Sequence, residues 1–220
     1  MISDSHIKRD DHFIEALRRA AVCASLADKT VFCGDNLDSV SDDRNVALFR
    51  ELIWDPYPDA LCVVGNHEGF FGDYDTIRQK VSDIWPHDSY YYTERIGSVL
   101  LICLDDAAGT VSDTQCNMLE SDIAAARERG ETILLFHHIR FTTLDSAKAA
   151  NDRFKKLIKG NADCIRAVFA GHNHADMTGE IEASYLDSDG NRVQTKIPYY
   201  QILGCPDNGT MGNVLRITVK

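Results

Sequence analysis

Short apolar segments alternate with amphipathic segments along most of the chain, and this alternation predicts the order of strands and helices. Segments that are apolar throughout are typical of strands buried on both faces of a sheet. They cover residues 30–33, 60–64, 98–104, 132–136 and 165–170. Apolar residues at steps of three and four predict helices over residues 11–27, 41–54, 73–84, 113–129 and 149–159. The pattern therefore predicts an α/β fold in which helices cover the faces of the sheet.

Two further regions predict antiparallel pairing. Residues 90–93 and 98–104 flank Arg95-Ile96-Gly97, as the two strands of a β-hairpin would. From Met177 onward the chain reads as strands joined by a turn at residues 188–191. Because no linker rich in Pro, Gly or Ser separates these regions, we expect a single domain over residues 1–220.

Five polar clusters, each at a point where a predicted strand ends, carry the candidate chemistry. They are Asp4-Ser5-His6, Gly34-Asp35-Asn36, Gly65-Asn66-His67-Glu68, His137-His138 and Gly171-His172-Asn173-His174. Any one of them has an ordinary explanation as a turn or a surface loop. Strands of an open α/β sheet, however, present their carboxyl ends to one crevice, and we therefore expect the five clusters to meet there.

The residue types in these clusters suit a pair of metal ions. Carboxylates and imidazoles together bind divalent manganese, iron or zinc. Gly34 allows a sharp turn in front of Asp35, whose two oxygens can bridge two ions. Two ions ~3.5–4 Å apart clamp the attacking and the leaving oxygen of a phosphoester. The clusters therefore predict a hydrolase that depends on two divalent metal ions.

The first cluster begins unusually close to the first residue of the chain. Only Met1-Ile2-Ser3 precede Asp4, whereas a strand usually has about five or six residues. We therefore expect a first strand reduced to a stump, or a natural chain that has further residues upstream.

The net charge limits the classes of substrate that are expected, and the cysteine content indicates the cellular compartment. A formal net charge of -11 repels polyanions, which disfavours long nucleic acids and favours a small phosphorylated substrate. Seven cysteines without a Cys-x-x-Cys pair predict free thiols in a reducing compartment, the cytoplasm. No apolar stretch is long enough to span a membrane. The sequence leaves the oligomeric state open.

The order D-x-H, G-D, G-N-H-E, H and G-H-x-H over residues 4 to 174 resembles the calcineurin-like metallophosphoesterase superfamily. That superfamily includes purple acid phosphatases, cyclic-nucleotide phosphodiesterases and repair nucleases. The resemblance implies a four-layer α/β/β/α sandwich with two mixed sheets and a dinuclear metal site at the strand ends. The stretch Asn36-Leu37-Asp38 lacks the tyrosine that is typical of purple acid phosphatases.

The resemblance also implies two ligand sets. The first ion would be held by Asp4, His6, Asp35 and His174. The second would be held by Asp35, Asn66, His137 and His172. His137 is preferred to His138 because the first histidine of such pairs usually aligns with the family ligand. Ile139 stands where the family has a proline, and His138 therefore remains the alternative.

Further roles are implied around the ions. His67 would contact the phosphate, as Asn66 would, or protonate the leaving oxygen, and Asp4 is a proton acceptor in some relatives. Asp38 is expected to receive a histidine N–H or a backbone donor. Arg140, in the loop after His137-His138, is a candidate contact for the phosphate, although a solvated arginine is the commoner case. The loop at residues 69–74 and Asn208 are further candidates for the rim of the site.

The predicted activity is hydrolysis of a small phosphomonoester or phosphodiester, such as a nucleotide, by a hydroxide shared between two divalent ions. The sequence does not separate the two ester classes. Two alternatives are a catalytically inactive metal-binding scaffold and a nuclease. The complete ligand set argues against the first, and the acidic charge balance argues against the second.

Overall fold

The computed structural model describes residues 1–8, 10–69, 89–207 and 212–219. Its helices are α1 (Asp11–Ala24), α2 (Asp43–Phe49), α3 (Asn66–Gly69), α4 (Asp113–Arg129) and α5 (Ala149–Gly160). A wider π-helical turn, Arg50–Trp54, continues α2. The strands are β1 (Val31–Cys33), β2 (Leu61–Val63), β3 (Tyr92–Ile96), β4 (Val99–Cys103), β5 (Thr132–Phe136), β6 (Ile165–Ala170), β7 (Met177–Leu186) and β8 (Arg192–Gln201).

Side-chain caps fix where the longer helices begin. The carboxylate of Asp10 accepts the amide of His12 at the start of α1. The hydroxyl of Ser112 accepts the amide of Gln115 at the start of α4. Such caps satisfy amides that lack a partner within the helix. At the other end of α4, Gly130 takes a left-handed conformation with φ of 66° and stops the helix.

The strands form two sheets. The small sheet pairs β1 with β2 in parallel, and Ile2 joins it through a single parallel bridge to Phe32. The large sheet has the order β3-β4-β5-β6-β8-β7. In it β4, β5, β6 and β8 are parallel, whereas β3 and β7 pair antiparallel at the two edges.

Three apolar cores separate four layers. Helices α1 and α2 pack on the outer face of the small sheet through Leu17, Phe49, Phe32 and Cys62. The inner faces of the two sheets meet through Val31, Cys33, Leu61, Val63, Leu101, Cys103, Leu134 and Phe136. Helices α4 and α5 cover the other face of the large sheet through Leu119, Ile123, Phe154, Leu100, Ile102 and Leu135. Because side chains alternate between the faces of a strand, the inner strands β1, β2, β4, β5 and β6 each contribute to two cores.

This arrangement confirms the expected α/β/β/α sandwich. The large sheet is mixed as expected, whereas the described pairings of the small sheet are all parallel. The first strand is a stump with one bridge, and the predicted strand pair after Met177 is the hairpin of β7 and β8. The helix expected over residues 73–84 lies outside the described residues. Among the described helices, none is both long and apolar enough to cross a bilayer.

Candidate metal centre

Five residues of the predicted site have a backbone conformation that L-amino acids rarely adopt. Their φ angles are 51° at Asp4, 43° at His6, 48° at Asp35, 75° at His172 and 48° at His174. Within the described part of the chain, these are the non-glycine residues with positive φ. Each such residue costs about 1–3 kcal/mol and persists where the surroundings enforce it, often at functional sites. The strain therefore coincides with the polar clusters.

Close contact between the clusters explains two of the glycines in the motifs. A Cβ on Gly65 would collide with the amide and the carboxylate of Asp35. A Cβ on Gly171 would collide with the hydroxyl of Ser3 and the carboxylate of Asp4. Glycine is the residue that permits such an approach. The clusters from separate strand ends therefore touch one another, as the sequence predicted.

A first group of convergent side chains comprises Asp4, His6 and His174. The Nε2 atoms of His6 and His174 are 3.0 Å apart, and Nε2 of His174 lies 3.5 Å from Oδ1 of Asp4. Asp4 is fully buried, with its carboxylate held by the hydroxyl of Ser3 at 2.6 Å and by the amide of His172 at 3.0 Å. Two imidazole nitrogens and a carboxylate oxygen thus point at one place.

A second group comprises Asp35, His138 and His172. Nε2 of His138 is 3.1 Å from Oδ2 of Asp35 and 3.1 Å from Oδ1 of Asn66. Oδ2 of Asp35 is also 3.9 Å from Nε2 of His6 in the first group. A single carboxylate oxygen therefore lies between the two groups, as a bridging ligand would.

The predicted placement of His137 is corrected by the structure, which brings His138 to the second group instead. Both side chains follow β5, in which Leu134 and Phe136 face the small sheet whereas Ile133 and Leu135 face the helices. The alternation continues past the strand, so that His137 points toward Phe154 of α5. His138 points toward the small sheet and its ligand clusters. Because β5 is apolar throughout, its sequence does not show which of its faces meets the small sheet.

The electrostatics of the two groups depend on burial and on the facing charges. Burial raises the pKa of the Asp4 carboxyl. Burial also acts to raise the pKa of Asp35, but His138 outweighs it and the pKa lies below its usual value. Burial lowers the pKa of His6 to about 4. For His138 the opposite holds, because Asp35 and Asp4 outweigh burial and raise its pKa to about 10.

His67 lies beside the first group. Its amide donates to Oδ1 of Asp35 at 2.8 Å, and its ring meets the ring of His6 edge-on with centroids 4.5 Å apart. Its Nδ1 is 3.0 Å from the carbonyl oxygen of Asp38. A carbonyl can only accept a hydrogen bond, so Nδ1 carries a proton there. The expected link between Asp38 and a histidine is thus made by the backbone carbonyl of Asp38. The carboxylate of Asp38 lies 3.9 Å from Nδ1 of His6.

Two buried carboxylates support the clusters from behind. Glu68 accepts the amides of Asp35, Leu37 and Gly65 at 2.6 to 3.1 Å, and burial raises its pKa to about 7. Asp106, just beyond β4, lies 2.7 Å from Nδ1 of His137. Asp106 was not among the predicted site residues, because an Asp-Asp pair after a strand matches no motif.

The remaining predicted residues are not among the convergent groups. Nη2 of Arg140 contacts Sδ of Met177 at 3.1 Å, and no described contact joins Arg140 to a ligand cluster. Asn208 and residues 70–74 lie outside the described residues, so their predicted roles at the rim stay predictions.

The donors fit a pair of divalent cations. Nδ1 of His172 is buried, and no hydrogen-bond partner is found for it within the described residues. Two imidazole nitrogens 3.0 Å apart at His6 and His174 are best satisfied when a cation lies between them and the nearby carboxylate. Carboxylate, amide and imidazole donors are the ligands that borderline divalent metals prefer.

The model of the calcineurin-like phosphoesterase family matches residues 1–176, and the chain belongs to this family. It is therefore a metal-dependent hydrolase of phosphoesters. A protein of Fibrobacter succinogenes (strain ATCC 19169 / S85), described as a "probable cyclic nucleotide phosphodiesterase", is 27% identical over 203 residues. The match covers 82% of this chain and 74% of that relative.

Two solved structures share the fold. A dimetal phosphatase from Danio rerio superposes with a TM-score of 0.65 at 13% identity, covering 92% of this chain and 86% of that one. A purple acid phosphatase from yellow lupin (Lupinus luteus) seeds gives a TM-score of 0.68 at 11% identity, covering 99% of this chain and 45% of that one. At these identities the likeness concerns the fold alone.

Proposed function

We propose that this protein hydrolyses a small phosphoester at a site that holds two divalent metal ions. The observation that carries the proposal is the position of Asp35, whose Oδ2 lies 3.1 Å from His138 in one ligand group and 3.9 Å from His6 in the other. A carboxylate in that position can bridge two ions, which is what a dinuclear centre requires.

The proposed ligand sets follow the two convergent groups. The first ion is held by Asp4, His6, Asp35 and His174. The second ion is held by Asp35, Asn66, His138 and His172, with His138 in place of the predicted His137. Manganese, iron and zinc suit this mixture of imidazole and carboxylate donors. Divalent ions held there would supply an activated water and offset the charge that develops on the phosphoryl oxygens.

We assign His67 the role of proton donor to the leaving oxygen. It lies next to the first ligand group but belongs to the neighbouring cluster, and its amide is fixed by Asp35. The carbonyl of Asp38 holds the proton on Nδ1, which makes Nε2 the nitrogen that gains and loses a proton during the reaction. General acids of this kind typically contribute about 10²–10⁴-fold to the rate.

A phosphodiester is the substrate class that we favour. The relative from Fibrobacter succinogenes carries the description "probable cyclic nucleotide phosphodiesterase", and a small substrate suits a chain with a net charge of -11. All seven cysteines are free thiols, and six of them are buried, which supports our proposal of a reducing compartment such as the cytoplasm.

The test is a set of initial rates for metal-stripped protein restored with manganese, iron, zinc or magnesium. The substrates are p-nitrophenyl phosphate, bis(p-nitrophenyl) phosphate and a 3′,5′-cyclic nucleotide. We expect metal-dependent turnover that favours the two diesters and that is lost in Asp35→Asn. Folded protein that binds two ions but turns over no phosphoester would indicate the inactive scaffold. Turnover of single-stranded DNA above all small diesters would indicate the nuclease.

A further inference from the structure

Asp106 is fully buried three residues after the end of β4, and its carboxylate is surrounded by donors from one short segment. Oδ2 lies 2.7 Å from Nδ1 of His137, and Oδ1 accepts the amide of His138 at 2.9 Å. The amide of Ile139 lies 3.1 Å from both oxygens. A carboxylate can accept about four hydrogen bonds. Residues 137–139 therefore fill the accepting positions of Asp106 almost completely.

The same segment is held from its opposite side by the strand ends that carry the metal site. Nδ1 of His138 is 3.0 Å from the carbonyl oxygen of Cys33, and the carbonyl of His138 accepts the amide of Gly171 at 3.1 Å. The imidazole of His138 is thus fixed at Nδ1, which leaves Nε2 facing Asp35 and Asn66. Any movement of residues 137–139 would displace that nitrogen.

We propose that Asp106 is a positioning residue for the second metal ion. In this proposal His137 is a hydrogen-bond partner of Asp106 and not a metal ligand. The carboxylate holds residues 137–139 so that Nε2 of His138 stays within reach of Asp35. This inference rests on the proposed function, because it takes His138 as a ligand.

The chemistry of the carboxylate explains why an amide would not replace it. Asparagine has one accepting oxygen, and its NH2 group can only donate. In Asp106→Asn, that NH2 group must face either Nδ1 of His137 or the amide of His138. The amide can only donate, and Nδ1 could accept only if the ring proton moved to Nε2, which is buried and has no hydrogen-bond partner within the described residues. The segment must then shift, and with it Nε2 of His138.

The experiment is a titration of metal-stripped protein with Co²⁺, followed by calorimetry and by the visible absorption of the bound ion. His138→Gln and His174→Gln serve as references, because each removes a proposed ligand of one ion. For Asp106→Asn we expect the second ion to bind about 10–100-fold more weakly. Binding of the first ion should stay within about threefold of wild type, because its proposed ligands lie outside residues 137–139. The absorption of the second ion should also shift, which a mere loss of stability would not cause in folded protein.

Asp105→Asn is the matched control, since it removes the same charge one residue earlier. Oδ1 of Asp105 accepts the amide of Ala107 at 3.0 Å, a residue on its own side of the site. The inference is overturned if Asp106→Asn and Asp105→Asn bind both ions alike. If wild-type protein binds no pair of ions, the proposed function itself fails, and this outcome is distinct from the first.

His137→Gln decides the matter if Asp106→Asn does not fold. This variant leaves the amides of His138 and Ile139 on Asp106, so we expect two bound ions and a loss of affinity of less than about tenfold for the second ion. Loss of a whole equivalent of metal, as expected for His138→Gln, would make His137 a ligand and overturn the inference.

Discussion

At the scale of single residues, the site depends on backbone conformations that the side chains do not favour. Asp4, Asp35 and His174 are held with positive φ, and they contact clusters from other strand ends. Such strain persists only where packing enforces it. Gly65 lies against Asp35 and Gly171 lies against Asp4. Because glycine has no Cβ, the clusters can approach each other at these two positions.

Substitution of Gly171 tests this close contact. In Gly171→Ala the new Cβ meets the hydroxyl of Ser3 and the carboxylate of Asp4, so we expect the first ion to bind at least about tenfold more weakly. The measurement is metal affinity by calorimetry. Gly179→Ala is the control, because among the described residues no atom beyond its two chain neighbours lies within 4 Å of a Cβ at that position. Equal affinities in the two variants would contradict the crowding seen at Gly171.

Substitution of His67 tests its role in proton transfer. We expect His67→Ala to keep both ions and to lose about 10²–10⁴-fold in kcat on a diester with a poor leaving group. With a nitrophenolate leaving group, which needs no proton, the loss should be much smaller. The comparison of kcat for the two substrates is the measurement. An equal loss on both would assign His67 to phosphate binding.

At the scale of elements, the strands decide which residues of a cluster reach the site. Because β5 alternates between the small sheet and the helices, His138 reaches Asp35 whereas His137 reaches Asp106. On the face of the large sheet that α4 and α5 cover, side-chain contacts hold the helices against the strands. One of them is the bidentate pair between Arg127 of α4 and Asp163 before β6, at 2.6 and 2.9 Å.

The Arg127–Asp163 pair gives a pH-dependent contribution to stability. The hydrogen bonds that Arg127 donates to Asp163 hold the pKa of that carboxyl below its usual value. The folded state therefore gains stability above the unfolded pKa of the carboxyl, and loses it as the pH falls through the folded pKa. We expect Asp163→Asn to lower the free energy of unfolding by about 0.5–1 kcal/mol at pH 7, since the pair is partly exposed.

The measurement for this pair is urea unfolding at neutral and at acidic pH. Once the pH lies below the folded pKa of Asp163, the wild-type carboxyl is protonated in both states, and the difference between wild type and Asp163→Asn should disappear. Asp189→Asn, in the exposed β7–β8 turn, should show no difference at either pH. A deficit in Asp163→Asn that persists unchanged in acid would assign the effect to packing.

At the scale of the whole molecule, the site joins parts of the chain that are far apart in sequence. Asp4 contacts His174, and Cys33 contacts His138. These residues belong to different sheets, so metal ions held there would link the two sheets. An unfolded chain cannot present the same set of ligands.

Removal of metal should therefore lower the stability of the fold. An ion that binds only the folded state adds about 2.7 kcal/mol when it is free at a hundred times its Kd. We expect a chelator to lower Tm in wild-type protein and to change it little in Asp35→Asn. The measurement is calorimetric unfolding with and without chelator. A chelator effect of the same size in Asp35→Asn would show that the stabilising ions bind elsewhere.

Much of this protein is determined by the sequence itself. Apolar strands that alternate with amphipathic helices specify the α/β class, because local periodicity reflects which faces are buried. The order of the five clusters indicates a metal-dependent phosphoesterase. Their positions at strand ends predict that Asp4, Asp35 and His174 meet, since parallel strands end at one edge.

Only the tertiary structure decided which neighbours within a cluster face the site. The choice between His137 and His138 depends on which face of β5 meets the small sheet, and that is a property of sheet packing. The partners of Asp106 could not be predicted from the sequence either, because its contacts with residues 137–139 join the ends of two different strands. Long-range contacts of this kind leave no periodic mark in the sequence, whereas burial of a strand or helix face does.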